Sequence, residues 1–136
     1  TNNFTAIQTE KMRITDDGGV GIGTTLPPGS GSRLQVAGKV FAGGPAQSAG
    51  NVSGAACGTP TIVGTDTAGI ITLGAGSAAG TCTLNFTSAY PSTPACTASV
   101  SGAVSMNVSG TASAVTFTLA GTVTGADTIR YICIGL

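Results

Sequence analysis

The 136-residue sequence contains no histidine and no tryptophan, and charged residues make up only 7% of it. Without histidine, the chain cannot form a Ser-His-Asp or Cys-His arrangement in which imidazole is the base. Five basic residues are balanced by five acidic ones, so the formal net charge is zero. A nucleic-acid-binding surface needs a concentrated excess of Lys and Arg. The composition therefore excludes imidazole-dependent hydrolysis and argues against nucleic acid as a partner.

Other kinds of site are also poorly supported by the sequence. Zinc binding is disfavoured because the cysteines have no Cys-x-x-Cys spacing and no histidine completes a ligand set. A glycosidase needs two positioned carboxylates, and the later part of the chain offers only Asp66 and Asp127. Both are better explained as turn residues, with Asp127 opening the last predicted strand. No apolar run is long enough to span a membrane. We expect no enzyme activity, no metal, no cofactor and no membrane insertion.

What the chain does contain is typical of an all-β protein. Apolar residues make up 41% of it, glycine occurs 22 times, and short β-branched runs recur without helical periodicity. After residue 50 these runs are evenly spaced and separated by turn residues, which favours two antiparallel sheets in a sandwich or jelly-roll-like arrangement. The predicted strands cover residues 59–63, 70–73, 81–86, 95–100, 103–108, 114–119 and 128–134.

The charges divide the sequence into two regions. Seven of the ten charged residues precede residue 50. Between the two regions, residues 42–50 are small and include Pro45, which is typical of a linker. We place the boundary near Ser48, with a stalk or neck segment at residues 1–48 and a tip domain at residues 49–136.

The stalk segment has a pattern of strand, turn, strand, break and strand. Apolar residues alternate with polar residues or glycine, and residues 16–19 supply a turn. Such short strands cannot bury an apolar face by themselves. We therefore predict an intertwined β-rich stalk in a parallel homotrimer. The residues expected to face neighbouring copies are Met12, Ile14, Val20, Ile22, Leu34 and Val36.

The same region carries a family resemblance. The run TEKMRITDDGGVGIGTT, followed by a proline and RLQVAGKV, resembles a segment of bacteriophage tail fibres and tail spikes that precedes a receptor-binding or chaperone domain. The match covers residues 10–40. The part that contains CGTP, CTLNF and the terminal YICIG is similar to the tip domains that follow such segments. The resemblance implies a homotrimeric fibre end on the virion, joined to other virion proteins, that meets a glycan or outer-membrane protein of a bacterium. It transfers no catalytic residue.

Four cysteines permit three pairings. The predicted strands place Cys82 and Cys96 on inward faces of neighbouring strands, which favours a bond between them, and closing that loop would contribute about 3 kcal/mol. The alternative is that all four stay reduced as small buried hydrophobes.

Three residues are candidates for receptor contact. Tyr90 lies in a proline-flanked loop, where its ring could stack on a sugar or instead close the edge of the core. Asp66 and Arg130 are rare charges in a region that otherwise excludes them. Binding through such residues makes the tip an adhesin. The alternatives are a hydrolytic tip that trims polysaccharide and a purely structural trimerisation cap.

Overall fold

The computed structural model describes residues 11–15, 18–23, 34–37, 43–102 and 104–135. The chain divides into two compact units, residues 1–41 and 42–136. The described residues form eleven β-strands and one short 3-10 turn, Ala49–Asn51. The all-β prediction is confirmed.

The first unit contains a three-stranded sheet of β1 (Met12–Ile14), β2 (Val20–Ile22) and β3 (Leu34–Val36), in that order. β1 and β2 are antiparallel, whereas β2 and β3 are parallel. The turn between β1 and β2 is closed by Thr15, whose backbone N–H and hydroxyl donate to the carbonyl of Gly19 at 2.8 and 3.0 Å.

The described residues of the second unit form eight strands in two antiparallel sheets. One has the order β4-β7-β10-β9 and is called here the β10 sheet; the other has the order β5-β6-β11-β8 and is called the β11 sheet. The strands are β4 (Val52–Ser53), β5 (Thr61–Gly64), β6 (Ala68–Thr72), β7 (Gly80–Asn85), β8 (Ala95–Val100), β9 (Val104–Thr111), β10 (Ala114–Gly121) and β11 (Thr128–Ile134).

The two sheets share one hydrophobic core. Alternate residues are buried along β7, β10 and β11, as period-two patterning requires. The rings of Phe117 in the β10 sheet and Tyr131 in the β11 sheet lie 6.2 Å apart, centre to centre. Each fully buried aliphatic or Phe side chain contributes about 1.5–3 kcal/mol. The largest fully buried side chains include Phe117, Ile71, Leu73, Leu84, Leu119, Ile129 and Val115.

Most connections of the second unit cross between its two sheets. Of the seven connections between successive strands from β4 to β11, five run from one sheet to the other. The remaining two, β5–β6 and β9–β10, are hairpins within one sheet, because tight turns at residues 65–67 and 112–113 let successive strands pair directly. The jelly-roll-like arrangement stays a prediction.

The disulfides also differ from the prediction. Cys57 is bonded to Cys82 and Cys96 to Cys133, with Cα–Cα distances of 5.0 and 4.1 Å, and no cysteine is free. The predicted bond between Cys82 and Cys96 is wrong, because each of the two is bonded to another cysteine. The prediction took β7 and β8 as neighbouring strands, whereas they belong to different sheets. Cys96 instead lies directly opposite Cys133 on the neighbouring strand.

The residues just before the predicted boundary belong to the second unit and pair with its β5–β6 region. Ala46 forms an isolated β-bridge with Thr65, and the Gln47 N–H donates to the Gly64 carbonyl at 2.9 Å. Part of the predicted linker is therefore held against the end of β5.

Candidate functional site

An exposed loop at residues 87–93 carries the chain from β7 in the β10 sheet to β8 in the β11 sheet. Buried residues flank it, Phe86 before it and Pro94 after it. Within the loop every residue is exposed except Tyr90, which is half-buried. The loop is therefore a solvent-facing segment with both ends fixed in the core. We call it the 87–93 loop.

Asp66 holds the first half of this loop. Its side chain is only 6% exposed. Its two carboxylate oxygens accept the backbone N–H groups of Thr87 at 2.8 Å and Ser88 at 2.9 Å, and the amide of Gln47 also donates to Oδ1. A carboxylate used in this way is not available to a receptor. The expectation that Asp66 contacts a ligand directly is therefore corrected, because this residue positions the loop.

Tyr90 holds the middle of the loop. Its backbone N–H donates to the Ala112 carbonyl at 2.8 Å. Its hydroxyl lies within hydrogen-bond distance of the carbonyl oxygens of Asp66 (3.2 Å) and Cys133 (3.3 Å). The ring packs edge-on against Phe86, with centres 5.0 Å apart. These contacts match the alternative interpretation, in which the ring closes the edge of the core.

The surface beside the loop is polar and uncharged. The Phe86 N–H donates to the Ser113 carbonyl at 2.8 Å, which places the β9–β10 turn next to the loop. On the other side, the Asn51 amide lies 3.3 Å from both the Asn85 carbonyl and the Thr87 hydroxyl. Hydroxyl, amide and backbone groups therefore surround the 87–93 loop.

Tyr131, which the sequence analysis did not single out, supports the same end of the unit from inside. Its hydroxyl donates to the Thr65 carbonyl at 2.5 Å. Burial, with added repulsion from Asp66 and then Tyr90, holds the pKa of Tyr131 well above its usual range. The signal for an inward side chain was present, because Tyr131 alternates in phase with Ile129 and Cys133 along β11.

Arg130 lies apart from Asp66 and Tyr90. It is exposed on the outer face of the β11 sheet, directly opposite Ile70 on one side and Ser99 on the other. A shallow, open depression of about 250 Å³ lies beside it, lined by residues 97–99 and 130–132. The structure thus brings Asp66 and Tyr90 together and places Arg130 on a different surface.

The two acidic residues of the second unit do not form a pair. Asp127 precedes β11, and its carboxylate accepts the N–H and hydroxyl of Thr124 at 2.8 and 3.1 Å. Because β6 and β11 are antiparallel, Asp66 and Asp127 lie at opposite ends of this strand pair. At roughly 3.3 Å per residue, the distance between them is on the order of 20 Å, whereas glycosidase carboxyl groups are about 5–9.5 Å apart.

The first unit carries a continuous apolar face. The strand registers place Met12 opposite Ile22, and Ile14 opposite Val20. The same registers place Leu34 and Val36 beside Val20 and Ile22, so all six predicted contact residues share one face. Four of them are strongly exposed: Met12 (56%), Ile14 (65%), Leu34 (62%) and Ile22 (40%).

Within the described ranges, no group of three or more His, Cys, Asp or Glu side chains could hold a metal ion. The same ranges contain no helix that is long and apolar enough to cross a membrane. No protein-family model, curated protein or solved structure matches the chain.

Proposed function

We propose that the chain is the structural and adhesive distal part of a bacteriophage fibre, a homotrimer on the virion that binds a receptor on the bacterial surface. The observation that carries this proposal is the apolar face of the first unit. Six apolar side chains lie on one side of a sheet whose strands are three residues long. So small a sheet is not stable with this face in water. Further copies of the same chain are the partner that the fibre-like sequence of residues 10–40 favours.

The proposal includes an intertwined stalk and a tip built as a β-sandwich. The stalk would form where three copies of the apolar face close around an axis and bury one another. For the tip, the ring contact between Phe117 and Tyr131 supports packing of the two sheets face to face.

Adhesion is assigned to the end of the second unit that carries the 87–93 loop. The contacts of Asp66 and Tyr90 order this loop before any ligand arrives, which lowers the entropy cost of binding. Its exposed hydroxyl and backbone groups suit directional hydrogen bonds to a surface glycan or an outer-membrane protein. Three copies in one fibre would add avidity to individually weak contacts.

The distance between the two acidic residues argues against the alternative of a hydrolytic tip. Asp66 and Asp127 are both buried, and both accept hydrogen bonds from backbone N–H groups. General acid-base catalysis needs titrating groups that reach the substrate. The other alternative, a trimerisation cap without a ligand, differs from the proposal only in whether the tip binds cells.

A bulky charged side chain introduced into the 87–93 loop distinguishes an adhesive tip from a trimerisation cap that binds no ligand. Ala89 is exposed in the 87–93 loop, and Ala126 is exposed in the turn before β11. Fluorescently labelled full-chain protein would be tested on a panel of bacterial strains, with Ala89→Arg as the probe and Ala126→Arg as the matched control. We expect at least a tenfold loss of cell binding for Ala89→Arg alone. Equal binding by both variants would contradict adhesion through the loop, and a lack of binding to any strain would favour the cap.

A further inference from the structure

The second unit has an exposed apolar surface that its fold does not use. Among the described residues of this unit, four large apolar side chains are exposed, Val63 (79%), Ile70 (39%), Ile132 (50%) and Ile134 (61%), and all lie on the outer face of the β11 sheet. Val63 is directly opposite Ile70, and Ile132 and Ile134 alternate with buried Tyr131 and Cys133. They therefore form one patch across three neighbouring strands, called here the outer apolar face.

The other outer face of the unit has the opposite character. On the β10 sheet the outward positions of β7, β9 and β10 carry hydroxyl and amide groups, and the hydroxyls of Thr83 and Thr116 lie 3.1 Å apart. These positions include Thr81, Thr83, Asn85, Asn107, Ser109, Thr116 and Thr118. The outer face of the β10 sheet is therefore polar, whereas that of the β11 sheet is apolar. The outer apolar face is a specific feature of the β11 sheet and does not follow from the overall amino-acid composition alone.

We propose that the outer apolar face is covered by a second copy of this chain. The proposal rests on the trimeric assembly proposed above. The face carries exposed Ile and Val side chains together with Arg130, opposite Ile70. This is the composition of interface cores, which are depleted of Lys, Glu and Asp and enriched in Arg. Arg130, expected from the sequence to contact the receptor, then lies between copies.

The size of the face favours a partner that is already tethered. Three strands about 4.8 Å apart, with about five residues of roughly 3.3 Å each, give a face on the order of 240 Å². A free-standing interface needs about 800 Å² per partner. The face alone is therefore too small to hold an independent protein. Copies joined through their first units are already at millimolar effective concentration, at which a small apolar contact forms.

The test uses the full chain and a lysine at each of the two outer faces. Ile132→Lys introduces a charge into the outer apolar face, and Thr118→Lys introduces the same charge at an exposed position on the β10 sheet. Val63→Lys is a second probe, because Val63 is 79% exposed within its own chain and a lysine there leaves the core intact. Analytical ultracentrifugation over a dilution series measures the concentration at which the oligomer dissociates, and circular dichroism confirms folding.

We expect the oligomers of Ile132→Lys and Val63→Lys to dissociate at concentrations at least tenfold higher than those at which the wild-type and Thr118→Lys oligomers dissociate. A wild-type trimer that both probe variants leave unchanged would overturn this inference and leave the proposed function intact. A monomeric wild type would instead overturn the trimer itself. Hydroxyl-radical labelling of the wild type adds a direct readout at Ile132. Protection in the trimer supports the inference, and protection in a monomer would show that another segment of the same chain covers the face.

Discussion

The ring of Tyr131 lies over the backbone of Gly69, its direct partner across the β6–β11 pair. A Cβ atom at residue 69 would lie 2.6 Å from the Tyr131 hydroxyl oxygen and 2.9 Å from the ring. The glycine is thus required by its neighbour and not by its own backbone angles. The same hydroxyl donates to Thr65, so this contact supports the turn from which Asp66 reaches the 87–93 loop.

We expect Gly69→Ala to destabilise the second unit by about 1–3 kcal/mol, because the buried Tyr131 ring must shift to admit a methyl group. The matched control is Gly110→Ala in β9, where the nearest atom to a new Cβ is 3.4 Å away. Denaturant unfolding of both variants measures the difference. Equal stability of the two would contradict the close packing of Tyr131 on residue 69.

Replacing Asp66 with Asn tests its role in ordering the loop. The Asn amide offers one acceptor oxygen in place of two, so the N–H of either Thr87 or Ser88 loses its partner. We expect a loss of about 1–3 kcal/mol in stability and faster hydrogen exchange at these two amides. The amides of Phe86 and Tyr90 bond to backbone carbonyls of residues 112–113 and serve as internal controls. Unchanged exchange at Thr87 and Ser88 would show that Asp66 does not hold the loop.

The disulfide connectivity predicts a specific peptide map. Proteolysis without reduction should yield fragments that link Cys57 to Cys82 and Cys96 to Cys133. Removing either bond by a double Cys→Ser substitution should cost about 3 kcal/mol, since each closes a loop of more than twenty residues. A fragment that links Cys82 to Cys96 would contradict this connectivity.

Stability should fall at high pH because of Tyr131. Its pKa is raised in the folded chain, mainly by burial, whereas in the unfolded chain it titrates at about 10. The unfolded state therefore releases a proton that the folded state keeps, and the free energy of unfolding decreases as pH rises above about 10. Urea unfolding between pH 8 and 11 measures this, with Tyr131→Phe as the variant that should lose the dependence. The same slope in Tyr131→Phe would assign the effect to another group.

Some of this fold could be predicted from residue alternation, and some could not. The inward faces containing Leu84 and Phe117 follow from a period of two along each strand. Alternation does not say which strands are neighbours, so the insertion of β11 between β6 and β8 had no local signal. The Cys96–Cys133 bond depends on that insertion. For Asp66, a rare charge suggested receptor contact, whereas the backbone N–H groups that its carboxylate accepts come from residues 21 and 22 positions later in the chain.

For the six residues on the apolar face of the first unit, the sequence predicts the side that they share but not what covers it. Their alternation predicted that Met12, Ile14 and the others share one side, and the strand registers agree. A period of two specifies which residues share a side but not what packs against it.

The proposed homotrimer is tested most directly by the mass of the full chain in solution, measured by light scattering during size-exclusion chromatography. One chain has a mass of 13.0 kDa. We expect a single species of three times that mass, and a shift towards one chain mass when Ile14→Lys places a charge on the apolar face of the first unit. A folded wild-type protein that elutes with the mass of one chain would contradict the proposed homotrimer.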